Sequence, residues 1–225
     1  MEPKDNIERL IREKDMQFRD FRLTNIETRT EKDGKERLVV EGVACSFDTE
    51  TVLYKSKYYE CREKIATGAF DNCDMTDVIF NYNHCGRVYA RTRNKSLELS
   101  VEADGLHMRG ELMAEDNGHA ELYRDIKSGL IDRMSFAFHV DESKYEYIER
   151  VNEPTLEIRT VTKIDKLYDV SAVDIPAYDT TSISARGAFD AERERRAAES
   201  RKLEEERAKK LDLARARYNY YTTEV

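Results

Sequence analysis

Four histidines are the side chains best able to move protons near neutral pH, namely His84, His107, His119 and His139, and their settings differ. His84 follows the apolar run DVIFNY at the point where NHCG turns the chain, so a rigid strand would hold its ring at an opening. His107 lies in SVEADGLHMRGELM, where Leu106, Met108 and Gly110 alternate with His107, Arg109 and Glu111, a period of two that puts it on the solvent side. His119 begins a helix. Neither His107 nor His119 has a local chemical partner, and both read as exposed structural residues. His139 closes the run DRMSFAFHV, which as a strand places Met134, Phe136, Phe138 and Val140 on one face and Ser135, Ala137 and His139 on the other. Ser135 then points away from the aromatic face, with small Ala137 leaving room beside it for a substrate. A serine hydroxyl becomes a nucleophile only with a base at hand. His139 shares its face, yet four residues of strand separate the two by about 13 Å. The base has to come from elsewhere, and His84 is the histidine best placed at a strand end.

An acid that could orient such a base occurs in KLYDVSAVDIPAYDTTSI. Asp169 and Asp174 differ by an odd number and so fall on opposite faces of a strand, while Leu167, Asp169, Ser171 and Val173 share one face. A carboxylate among apolar neighbours calls for a partner such as an imidazole N–H. Pro176, which cannot donate to a ladder, ends that strand. Other chemistries find less support. There is no GxGxxG or GxxxxGK[ST] phosphate loop, and four scattered histidines without HExxH or HxH do not assemble the three or four ligands of a metal-dependent hydrolase. Cys45, Cys61, Cys73 and Cys85 lack any CxxC pairing and read as reduced, unligated thiols.

The elements that must position these groups are mostly strands. ERLVVEGVACSF reads as a strand entered through a hairpin at Asp33-Gly34, and further strands are expected at 77–82, 96–101, 106–113, 134–140, 156–163 and 167–175. Short helices are expected at 65–73 and at 118–128, the second stopped by Gly129. Many short strands with few helices favour a barrel or a sandwich over a parallel βαβ sheet. Residues 1–35 form a charged arm, with a thin helical stripe of Ile7, Leu10, Ile11 and Met16 in its first twenty residues; 36–186 form the body; 187–225 form a charged tail. Residues 187–217 of the tail hold ten basic and eight acidic side chains and no proline, a helix-forming and solvent-loving mixture without a heptad seam.

Composition narrows the function. With 225 residues the chain is one domain plus extensions, and its 37% charged content exceeds the ordinary share. Lys and Arg number 38 against 46 Asp and Glu, so a formal charge of -8 offers no net attraction to nucleic acid or an anionic membrane. No window approaches the ~18 to 20 apolar residues of a membrane span, and the start MEPKDNIERLIREKD has no secretory h-region. A cytosolic origin follows.

Three segments in this order, NYNHCGRVYARTRNKSLELSVEADGLHMRGEL, AELYRDIKSGLIDRMSFAFHV and LYDVSAVDIPAYDTTSI, together resemble the tailed-phage prohead protease family, serine proteases of capsid maturation related in fold to the herpesvirus assembly proteases. The resemblance spans about Glu41 to Arg186, with 51 residues between His84 and Ser135 and 34 between Ser135 and Asp169. It implies a mainly β, α+β fold, a mostly antiparallel barrel with a few surrounding helices. It also implies a triad of Ser135 as nucleophile, His84 as base and Asp169 as acid, with Asp165 and Asp174 as fallback acids. Cys85 stands where the family often has an acid, and Asp169 where it often has Glu. Backbone N–H groups near Ser135, Arg91 and Arg93 are candidates for stabilising an oxyanion. The implied activity is endopeptidase cleavage of a scaffolding protein, or of the scaffolding segment of the major capsid protein, and of the protease itself, inside the procapsid in the bacterial host cytoplasm. Implied partners are those capsid and scaffolding proteins, with the portal and a second copy of the chain as further candidates; no cofactor, metal, nucleic acid or membrane is implied. The competing reading is an inactive assembly partner with the same fold, motivated by Cys85 and Asp169.

Overall fold

The computed structural model describes the backbone of residues 17–22, 27–32, 36–174 and 178–222, and the side chains of 37–174 and 189–213. Eleven strands are described: β1 (Gln17–Arg22), β2 (Glu27–Lys32), β3 (Glu36–Ser46), β4 (Thr51–Lys55), β5 (Tyr59–Ile65), β6 (Ile79–Tyr82), β7 (Cys85–Arg91), β8 (Leu97–Val101), β9 (Gly105–Met113), β10 (Arg133–Ile148) and β11 (Thr155–Val173). Helix α1 (Asn117–Ser128) lies between β9 and β10, and α2 (Tyr178–Thr222) follows β11.

The strands build two sheets. One runs β1-β10-β11-β5-β4, with β6 joined to β11 and β7 to β6; the other runs β2-β3-β9-β8. Most neighbours are antiparallel, but β11 takes β5 and β6 as parallel partners at its two ends. A 19-residue strand is long enough to host both. The expected barrel is therefore corrected: among the described residues neither sheet closes on itself, because the first branches at β11 instead of returning to β1. Side chains from both sheets meet in one apolar core, including Leu38, Val40, Phe80, Leu106, Met108, Phe136, Phe138, Leu167 and Val170, and α1 adds Leu122, Tyr123 and Ile126. Gly105 sits where a Cβ would come within 2.0 Å of the Cys45 carbonyl oxygen, so no larger residue fits where β9 leaves its turn against β3.

Several expected elements take another form. Residues 65–73 are not helical. Ile65 ends β5, Gly68 adopts φ +88°, the N–H groups of Ala69, Asp71 and Cys73 close successive turns on Ala66, Gly68 and Phe70, and the segment is tied to β11 through Ala66 N–H to Val161 O and Ile164 N–H to Ala69 O. Residues 17–20, read as part of a charged helix or arm, belong to β1, which pairs with β10 from Gln17↔Phe138 to Arg22↔Arg133; ladder bonds to a sheet edge outweigh a thin helical stripe. Residues 1–16, the turn at 33–35 and the strand end at 175–177 lie outside the described residues. The strands expected at 156–163 and 167–175 are one strand, β11. Helix α1 matches its expected range: the Asp116 side chain accepts the N–H groups of Gly118 and His119, and Gly129 closes it at φ +77°.

By contact the chain divides into Met1–Ser184 and Ala185–Val225. The described part of the second unit is a single helical stretch whose surface carries the ion pairs Arg193–Asp190, Arg195–Glu192 and Arg195–Glu199, spaced three and four residues apart. Leu203, Leu211 and Leu213 on it are exposed. No helix among the described residues is long and apolar enough to cross a membrane.

Candidate active site

The first sheet brings three distant segments together in register. In β10 and β11 Ser135 lies opposite Ser171, and Ala137 opposite Asp169. On the other side of β11, Asn81 of β6 lies opposite Ser171, so Ser135, Ser171 and Asn81 form one row across three strands. The next row, Phe136, Val170 and Phe80, points the opposite way into the core. Alternation thus turns a polar row outward wherever an aromatic and aliphatic row turns inward. Phe136 and Phe138 stack with ring centroids 4.6 Å apart and fix the β10 backbone behind the serine.

β6 and β7 form a hairpin in which Tyr82 faces Cys85. Its two central residues, Asn83 at φ 52° and His84 at φ 55°, are both left-handed, the pattern of a two-residue type I′ turn. Asn tolerates that conformation well; histidine does so less readily, and the strain is accepted where the imidazole is swung back over β11. There His84 Nε2 lies 2.6 Å from Ser135 Oγ and His84 Nδ1 lies 2.7 Å from Asp169 Oδ1. With Nδ1–H donated to the carboxylate, Nε2 is left to accept the serine proton. The three residues named from sequence for nucleophile, base and acid therefore form one hydrogen-bonded line.

One feature departs from expectation. Ser135 and Ala137 are both 0% exposed and the His84 side chain is 12% exposed, so the serine face is covered, not open. Face alternation also breaks within β11, against expectation. The β10–β11 register skips Tyr168, pairing Ala137 with Asp169 and Phe138 with Leu167, so this bulge places Leu167 in the core and leaves Asp169 with Ser171 on the opposite face.

The alternatives are engaged elsewhere. Asp165 Oδ1 lies 2.7 Å from His139 Nδ1, and Asp174 accepts a hydrogen bond from the Tyr82 hydroxyl at 2.8 Å. That carboxylate holds the Tyr82 phenol above its ordinary pKa. Arg91 donates to both oxygens of Asp77, and Arg93 reaches the same carboxylate, at the end of the β6–β7 ladder away from His84. Neither guanidinium is aimed at Ser135. Burial pushes the Cys73 thiol up to about 12 and the Cys45 thiol well above its ordinary value, which makes both poor nucleophiles. All four cysteines are free thiols. Glu102, Asp104 and His107 bring possible ligand atoms within 4.8 Å of one another on the β8–β9 hairpin of the other sheet. His107 is half-exposed there, with Nε2 2.8 Å from Asp104 Oδ1, in keeping with a structural role.

His119 is structural but, contrary to expectation, buried. It is 2% exposed, its Nδ1 accepts the Met113 N–H at 3.1 Å, and its ring lies against Tyr89 at 5.2 Å between centroids. Loss of solvation lowers its pKa from the ordinary 6.5. The unfolded chain then takes up a proton before the folded one does. The stability contributed by the neutral ring is present above about 6.5 and is lost as pH falls through that value toward the lower folded one. Urea midpoints at pH 7.5 and 5.5 should accordingly diverge less in His119→Gln than in the unaltered chain; equal pH slopes would refute the assignment.

A nucleophile, a base and an acid held in line on a mostly β frame can carry out acyl transfer through a serine. The chain belongs to the caudovirus prohead serine protease family, whose profile matches residues 24–195. Among solved structures it is similar to the capsid assembly protease gp21 of bacteriophage T4, at 13% identity over 72% of this chain and 98% of that one, with a TM-score of 0.42. No curated protein sequence matches it.

Ser171 and Asn81 are the neighbours of this line that the sequence did not single out. Their only signal was a polar residue in each of two apolar runs, IFNY and DVSAV, and the cross-strand register that unites them is not written in either run.

Proposed function

We propose that this chain is a serine endopeptidase of phage capsid maturation, with Ser135 as nucleophile, His84 as general base and then acid, and Asp169 as the acid that orients His84. As Ser135 Oγ attacks the scissile carbonyl, its proton passes to His84 Nε2; the same proton then goes to the leaving amine, and water repeats the cycle on the acyl-enzyme. Asp169 keeps Nδ1 protonated and stabilises the imidazolium that forms between the two transfers. The observation that carries this reading is the pair of contacts at 2.6 and 2.7 Å on the two nitrogens of one ring.

The substrates proposed are a scaffolding protein or the scaffolding segment of the major capsid protein, and this chain itself, within the procapsid in the host cytoplasm. The capsid proteins are the proposed partners, with the portal and a second copy of the chain as further ones. Exposed segments with few packed side chains, such as the helical tail, are the natural places for self-cleavage. Kinship of fold with the herpesvirus assembly proteases belongs to the same proposal. Full burial of Ser135 favours a second reading, an assembly partner that keeps the fold without cleaving.

Co-expression with the neighbouring capsid and scaffolding proteins separates the two. Shortening of a capsid or scaffolding subunit only when Ser135 is intact, and not with Ser135→Ala, is the expected result. Unshortened subunits in both cases, with particles still assembling, would establish the second reading. Intact masses of the two purified forms decide self-cleavage, which two untrimmed masses differing only by the oxygen atom that Ser135→Ala removes would refute.

A further inference from the structure

Behind the triad lies a second layer of buried polar groups. Ser171 Oγ is 2.9 Å from Asp169 Oδ1 and 3.1 Å from His84 Nδ1, and it contacts Asn81 Oδ1. Ser171 is 0%, Asn81 4% and Asp169 6% exposed. A hydroxyl and an amide at such positions lose hydration that an aliphatic pair would not have to give up, so their presence asks what they bond to. Ser171 bonds to the acid, and Asn81 bonds to Ser171.

We propose that Ser171, fixed by Asn81, is a positioning residue that locks the Asp169 carboxylate against His84 Nδ1. This rests on the serine-protease reading above. Ser171 has one proton and two oxygen acceptors in reach. An ionised carboxylate is the stronger acceptor, so the proton goes to Asp169 Oδ1. The single Nδ1 proton goes to the same oxygen along the shorter contact, 2.7 Å against 3.1 Å to Ser171 Oγ. Ser171 Oγ then has only lone pairs to show Asn81. A half-turn of that amide exchanges its oxygen and nitrogen in place and supplies the matching N–H. The chain of donors runs Asn81 to Ser171 to Asp169, with His84 donating to Asp169 from the other side, and every link has one proton.

The device answers a geometric need. An aspartate carboxylate stands only one methylene from the backbone, so it has few bonds with which to find the imidazole. A fixed donor on Oδ1 selects the one rotation of the carboxylate that also meets Nδ1. The strand register supplies it, because Ser171 follows Asp169 by two residues on the same face and lies directly opposite Asn81.

The full-length chain is to be assayed by turnover of p-nitrophenyl acetate and by the rate of labelling with a small fluorophosphonate. Ser171→Ala should lower kcat about tenfold or more, the worth of one hydrogen bond to a charged group, with KM within about twofold of the unaltered chain. Ser171→Thr, which keeps the hydroxyl, should recover most of the loss. In an Asp169→Asn background the same Ser171→Ala change should cost nothing further, because the residue acts through the carboxylate. If Ser171→Ala does not fold, Ser171→Cys, of similar size and a weak donor, takes its place in the cycle. Unchanged kcat in Ser171→Ala, or an equal fold-loss in both backgrounds, overturns the inference while the protease reading stands. An unaltered chain that neither turns over the ester nor takes the label overturns that reading and the inference with it.

Discussion

His84→Ala should lower kcat by about 10⁵-fold or more and Asp169→Asn by about 10⁴-fold, and adding Ser135→Ala should bring each variant to the loss of Ser135→Ala alone and no further. The magnitudes follow from the order of the line. Removing the imidazole takes away the base that lies 2.6 Å from Ser135 Oγ, and removing the negative charge from position 169 leaves Nδ1 free to lose its proton and Nε2 to gain one, which reverses the tautomer. Groups that act on one proton fail together, so their losses do not multiply. Ester turnover and cleavage of a co-expressed capsid protein, each measured for the single and double variants, provide the check. Multiplying losses would mean that the three side chains contribute separately, and the reading of them as one catalytic unit would not survive.

The parts of this arrangement that were legible in the sequence are those governed by short-range periodicity. Met134, Phe136 and Phe138 alternate strictly, which fixed the outward direction of Ser135 before any fold was known, and NHCG after an apolar run marked a turn. Distances along one strand were equally accessible: His139 is paired with Asp165 and not with Ser135. What escaped depends on non-local pairing. The bulge at Tyr168 shifts parity within β11, and nothing in KLYDVSAV announces it, because a bulge is decided by what lies opposite. Strand β5 reads as YECREKI, with charges where a core strand should be apolar, yet Glu60 and Glu63 are buried and satisfied by basic side chains, so hydropathy conceals the strand. The burial of Ser135 escaped for the same reason. One strand's pattern shows which way a side chain points and not what will cover it.

The buried pair that hides β5 from a hydropathy reading should also be the most sensitive point of the first sheet. Arg159 and Glu63 are register partners in the parallel β11–β5 ladder, their side chains 5% and 2% exposed and 3.0 Å apart. The Arg159 Nε also donates to Ser143 Oγ of β10 at 3.0 Å, and its guanidinium lies 6.0 Å from the Tyr145 ring, so one side chain links three strands. Taking both charges out of water costs several kcal/mol that their attraction roughly returns, so the pair as a whole stabilises little. Halving it is another matter. Arg159→Met leaves the Glu63 carboxylate buried without its cationic partner and should destabilise by about 3–5 kcal/mol, a large share of the ~5–15 kcal/mol that holds a domain folded. Glu63→Leu combined with Arg159→Met removes both charges and should recover most of that loss, since packed aliphatic groups need no partner. Urea unfolding followed by circular dichroism on the two variants measures the asymmetry. A single variant no less stable than the double would mean that water reaches Glu63, and the pair would then be an ordinary surface contact despite its burial.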